Sequence, residues 1–89
     1  MIKIDEEKIL EKIYDELVDE LSGLFFDIIS NKNKRRRYID AVLDRITEEN
    51  EYIVKKLFEV AQKKGDIPKD LKYSRENFVK ALDESDLVL

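Results

Sequence analysis

The sequence predicts an all-α fold, a long antiparallel helical hairpin followed by a short C-terminal helix. Three observations carry this. Apolar residues at Leu10, Tyr14, Leu17, Leu21, Leu24 and Ile28 alternate steps of four and three, the rhythm of a helical seam. A second run, Ile39, Leu43, Ile46, Ile53, Leu57 and Val60, repeats it. The third is a capped segment, Ser74 to Glu84, with Phe78, Val79 and Leu82 on one face.

The first helix runs from about Asp5 to Ile29. Asp5 suits the N-cap, and Glu6 and Glu7 favour the positive end of the helix dipole. Ile9, Ile13, Val18, Phe25 and Ile29 form a second apolar row beside the seam. A stripe that wide exceeds what one neighbouring helix covers. It predicts further pairing, including a homodimer built as a helical bundle. Gly23 after Ser22 marks a close crossing, a slight bend or a tolerated glycine. Ser30 to Asn33 is all polar and reads as a turn.

The second helix starts near Lys34, and its seam holds a polar residue, Asn50, where the rhythm demands an apolar one. The unbroken phase favours one helix to about Lys64, with Asn50 buried as a register-setting residue. The rival is a break near Thr47, with Thr47 capping a new helix and Glu48 and Glu49 in its first turn. Lys63, Lys64 and Gly65 signal the end, and Pro68 forbids continuation.

Residues 66–73 connect to the third helix, about 75–84, with Ile67, Leu71 and Tyr73 turned to the core. Ser74 suits the N-cap, and Tyr73 with Phe78 suits a hydrophobic staple. An acidic then apolar stretch from Asp83, with 85–89 as its tail, reads as a docking peptide, a frayed end or a strap over the core. There is no internal repeat or linker, so 1–89 reads as a single helical domain.

Composition narrows the chemistry. With no Cys and no His, the chain has no thiol nucleophile, no cysteine zinc site and no imidazole base. Its two glycines are isolated, so no loop cradles phosphate. No cofactor is expected. No apolar run reaches the ~18 residues of a membrane span. The start, MIKIDEEK, lacks a secretory pattern, and a cytoplasmic location is expected. Dense charge of both signs with no Cys, no Trp and one Met fits a thermophile's intracellular protein.

The net charge of −4 hides a segregation. Residues 1–30 carry −6, residues 31–37 carry +5, residues 38–64 carry −1 and residues 65–89 carry −2. The basic cluster is Lys32, Lys34, Arg35, Arg36 and Arg37, beside Tyr38. Cations opening a helix are unfavourable to its dipole. Arginine there suits bidentate contact with phosphate or carboxylate. These five residues are the candidate site, with nucleic acid or an acidic protein surface as target. The acidic whole argues against a strong stand-alone nucleic-acid binder.

The enzymatic rival is a Mg²⁺-dependent all-α nucleotide pyrophosphohydrolase. Asp15/Asp19, Glu16/Glu20 and Asp40/Asp44 are i,i+4 carboxylate pairs of the type that hold the ion. In a chain with 21 acidic residues such pairs also arise by chance on solvated faces. A third reading is a structural homodimeric adaptor acting through the apolar face of the first helix.

The acidic first helix, the segment NKNKRRRYIDAVLDRITEENEYIVKKL and the ending IPKDLKYSRENFVKAL resemble small crenarchaeal helical proteins of the replication machinery. The nearest is the smaller accessory subunit of the replicative family-B DNA polymerase holoenzyme. The resemblance lies in size, helix order and style, with no diagnostic motif. It implies a non-catalytic archaeal protein that binds a polymerase catalytic subunit and supports it on DNA. No functional residue carries over from it.

Overall fold

The computed structural model describes residues 5–24 and 32–85, except the side chains of residues 23, 24 and 32. They form four helices and no strand: α1 Glu6–Leu24, α2 Lys32–Thr47, α3 Glu51–Lys64 and α4 Arg75–Glu84. The fold is all-α. No described helix is long and apolar enough to cross a membrane.

Asp5 caps α1, its carboxylate accepting from the Lys8 backbone N–H at 3.2 Å. Tyr14, Leu17 and Leu21 form its buried face, with Leu10, Ile13 and Val18 packed half-buried beside them. α1 packs against both α2 and α3. The extra width of its stripe therefore meets two neighbours inside the same chain, and Ile9 stays exposed. The predicted extension through Phe25, Ile28 and Ile29, the Ser30–Asn31 part of the turn and the last tail residues, 86–89, lie outside the described residues.

The long second helix is corrected to two helices. The heptad phase is continuous, but the backbone breaks at residues 48–50. Glu48 and Glu49 adopt left-handed φ values of 54° and 61°. The Glu49 N–H donates to Asp44 O at 2.8 Å and the Glu48 N–H to Arg45 O at 3.4 Å. This six-to-one, five-to-two pair is the Schellman closure of a helix end. The new cap is Asn50 rather than Thr47. The Asn50 side chain accepts from the backbone N–H groups of Tyr52 and Ile53, and it is exposed rather than buried in a seam. Thr47 ends α2 as a buried residue, its hydroxyl donating to Leu43 O at 2.5 Å.

The break lets α3 fold back. Val54, Leu57, Phe58, Val60 and Ala61 of α3 join Ile39, Val42 and Leu43 of α2 in one core, completed by Ile67, Phe78, Val79 and Leu82. Gly65 closes α3 at φ 80°. The connector then wraps α3, its carbonyls at Pro68, Lys69 and Leu71 all accepting from the Gln62 amide at 3.0–3.2 Å. Ser74 caps α4, accepting from the Asn77 N–H at 3.0 Å. Both staple residues meet Phe58: the Tyr73 and Phe78 rings stand edge-on to it at 5.2 and 5.4 Å. Such edge-to-face pairs add to the area term.

Candidate functional site

The basic stretch occupies the first two turns of α2, which carries no acidic residue in its first turn. Arg35 and Arg36 both turn to α4. Asp83 accepts from Arg35 Nε at 2.7 Å and from Arg36 Nε at 3.3 Å, and its side chain is 1% exposed. Arg36 Nη2 lies 3.6 Å from Glu84 Oε1. The hydrogen bond to Asp83 holds the Arg35 guanidinium above its ordinary pKa. Asp83 and Glu84 are thus the last turn of α4, not the start of a free tail.

The helix dipoles explain this placement. The cations are unfavourable to their own helix, but they sit against the negative C-terminal end of α4, which has no basic residue in its last turn. The opposite end repeats the scheme. Arg75, the first residue of α4, donates from Nε to Asp40 Oδ1 at 2.6 Å and from Nη2 to Asp44 and, at 3.1 Å, to the Asp40 carbonyl. Its Nη1 reaches Glu51 Oε1 at 2.8 Å. Burial pushes the Arg75 guanidinium down, but hydrogen bonds to Asp40 and Asp44, and their charges, outweigh it and hold its pKa above the ordinary value. α2 and α4 therefore lie antiparallel, clamped by arginines at both ends.

Arg75 was not among the candidates read from the sequence. Its signal was present: a cation at the first position of a capped helix, the same oddity as Arg35 and Arg36. The Asp40/Asp44 pair converges as its spacing predicts, but on a guanidinium. Asp15 pairs with Lys64 at 3.5 Å and Glu20 with Arg45 at 2.7 Å. Among the described residues no group of three or more metal-ligating side chains is gathered.

Of the five predicted site residues, Arg35 and Arg36 are engaged with Asp83. Lys34 and Arg37 are exposed. The Arg37 side chain makes no hydrogen bond or ion pair with the described residues. The Lys32 side chain lies outside them. Tyr38 is half-buried against the core. Arg37 also borders a groove of about 380 Å³ between α2 and α4, lined by Asn33, Arg36, Arg37, Asp40, Glu76 and Val79. Its two arginines face two carboxylates, so it is mixed in sign.

Comparison with protein-family models, with curated proteins and with solved structures finds no match for this chain.

Proposed function

We propose that this chain is a non-catalytic docking subunit that presents the first turns of α2 to an acidic protein surface. The observation that carries the reading is the split within the basic cluster. Arg35 and Arg36 fasten the segment to Asp83, while Arg37 is exposed on the same turns. A guanidinium on a fixed helical turn costs less backbone entropy on meeting a carboxylate than one on a loose loop. The resemblance to polymerase accessory subunits extends the proposal to a nucleic-acid-processing complex, with a DNA polymerase catalytic subunit as the expected partner.

An acidic protein is favoured over nucleic acid because Arg35 and Arg36 are already engaged with Asp83 and the chain as a whole is acidic. A site that makes only two or three phosphate contacts, on a chain of charge −4, binds weakly. Its affinity would fall by about ten- to fortyfold between ~50 and ~200 mM salt, against ~10³ or more for a strong binder. The Mg²⁺ hydrolase reading is disfavoured because Arg75 already occupies the convergence of Asp40 and Asp44.

The test is a charge reversal, Arg37→Glu, which leaves the Asp83 anchor in place. Binding is measured to a glutamate-rich peptide and to duplex DNA across that salt range. The reading expects peptide binding that the reversal abolishes with the melting temperature unchanged. Equal peptide binding by wild type and variant sinks it. DNA binding stronger than peptide binding moves the site to nucleic acid.

A further inference from the structure

The junction between α2 and α3 joins two conditions that seldom meet. Its sequence carries a helical rhythm straight through the break: Ile46, Asn50, Ile53 and Leu57 keep the steps of four and three. Its backbone departs from that rhythm by placing two successive glutamates, Glu48 and Glu49, at left-handed φ. Left-handed backbone is unfavourable for any residue with a Cβ, and strain of this kind persists only where the surrounding packing imposes it. The same four residues, Thr47 to Asn50, contain no glycine and no proline, so nothing in their covalent structure forbids a continuous helix.

We propose that residues 48–50 are a hinge, and that two copies of this chain exchange their α3–α4 halves as α2 and α3 merge into one long helix. The contacts that hold the halves together leave the hinge out. Tyr14 donates to Asp66 at 2.7 Å, Lys63 pairs with Glu7, Lys64 with Asp15, Arg35 and Arg36 with Asp83, and Arg75 with Asp40 and Asp44. Each can form between chains as it forms within one. The shared core is regenerated in the same way. Exchange therefore keeps the packing, releases two strained residues per chain and adds backbone hydrogen bonds across the former break.

What opposes exchange is local as well. The closed form gains the Asn50 cap and the Schellman closure at Asp44 and Arg45, and it needs no second chain. The hinge side chains offer little further hold. Glu48 and Glu49 are exposed and make no side-chain hydrogen bond or ion pair with the described residues. In the open form Asn50 returns to a seam position, where a single polar residue fixes register between paired helices. A short strained connection between two halves of a core is the setting in which domain swapping arises.

The experiment refolds the full chain at high and low concentration and reads mass by light scattering. Asn50→Leu removes the cap and completes the seam, and the dimer dissociation constant is expected to fall at least about tenfold. Glu48→Gly with Glu49→Gly relieves the closed form and disfavours a through-going helix, and is expected to raise it by a similar factor, about tenfold. Exchange is separated from side-by-side pairing by zero-length carbodiimide crosslinking of the isolated dimer. In the swapped dimer the Glu7–Lys63 and Asp15–Lys64 amides join two chains, and denaturing gels show a covalent dimer. A crosslinked dimer that runs as monomer overturns the proposal. So does a shift of both variants in the same direction, or the absence of any dimer from both wild type and Asn50→Leu, whether or not that variant folds.

Discussion

The C-termini of α2 and α3 close with the same hydrogen bonds and different residues. At α3 the Asp66 N–H returns to Ala61 O at 3.0 Å and the Gly65 N–H to Gln62 O at 3.1 Å. At α2 the Glu49 N–H returns to Asp44 O and the Glu48 N–H to Arg45 O. The first end places glycine at the left-handed position, where the absence of Cβ makes the conformation free of strain. The second places glutamate there and again at the next residue. The first is also tied from outside, because the Tyr14 hydroxyl donates to Asp66. One end is fixed by its own chemistry, and the other is imposed by the packing of α3 against α1 and α2.

The largest expected effect that tests this contrast is Gly65→Ala. An added Cβ meets nothing within 4 Å, so any loss comes from the backbone alone. A destabilisation of about 1–2 kcal/mol is expected. Thermal melts should register it as a drop of about 4–8 °C per kcal/mol. An unchanged melting temperature would show that the glycine at this end is incidental.

Tyr14→Phe removes the external tie and should cost about 1 kcal/mol by urea titration. It carries a pH signature as well. Burial, then the hydrogen bond to and charge of Asp66, then the charge of Asp15, push the Tyr14 phenol well above its ordinary value. A folded pKa raised above the unfolded one, about 10, gives stability that is full below pH ~10 and falls as the pH rises beyond it. Between pH ~9 and ~11 the wild type should lose more stability than the phenylalanine variant. Parallel losses would remove Tyr14 from the account.

Glu48→Gly should act in the opposite direction to Gly65→Ala. Relief of the left-handed strain, set against the greater freedom of glycine in the unfolded chain, leaves a gain of about 0.5–1 kcal/mol. A loss of stability would mean that Glu48 makes a contribution of its own. The smallest effect is expected at Lys63→Ala, also near the end of α3. Its ion pair with Glu7 joins side chains that are 69% and 61% exposed, and exposed pairs contribute little and fade with salt.

The same contrast explains which parts of the fold were legible in the sequence. Ends with a dedicated residue could be read: Asp5, Gly65 with Pro68, and Ser74 all cap or stop where their chemistry puts them. The α2 end could be read only as the rival to a continuous helix, because glutamate carries no left-handed signal and the apolar rhythm runs through it. Asn50 was noticed as an irregularity and assigned to the wrong form of it, a buried seam residue instead of a cap. The basic cluster was legible as charge, but its division was not. Nothing local to Arg35 or Arg36 reveals that Asp83, 47–48 residues onward, faces them. That partnership depends on the α3 reversal, which a continuous second helix would not make.

The Gln62 side chain has a consequence of a different kind. Its amide nitrogen, with two hydrogens to give, serves three carbonyls of the connector, at Pro68, Lys69 and Leu71. Glutamate has nearly the same outline and only acceptors to offer. Deamidation at this one position would thus leave the shape of the chain almost untouched while setting a negative charge against three carbonyl oxygens. The route from α3 to α4 rests on a side chain whose slow chemical ageing reverses its meaning, and long storage could loosen α4 with no cut in the chain.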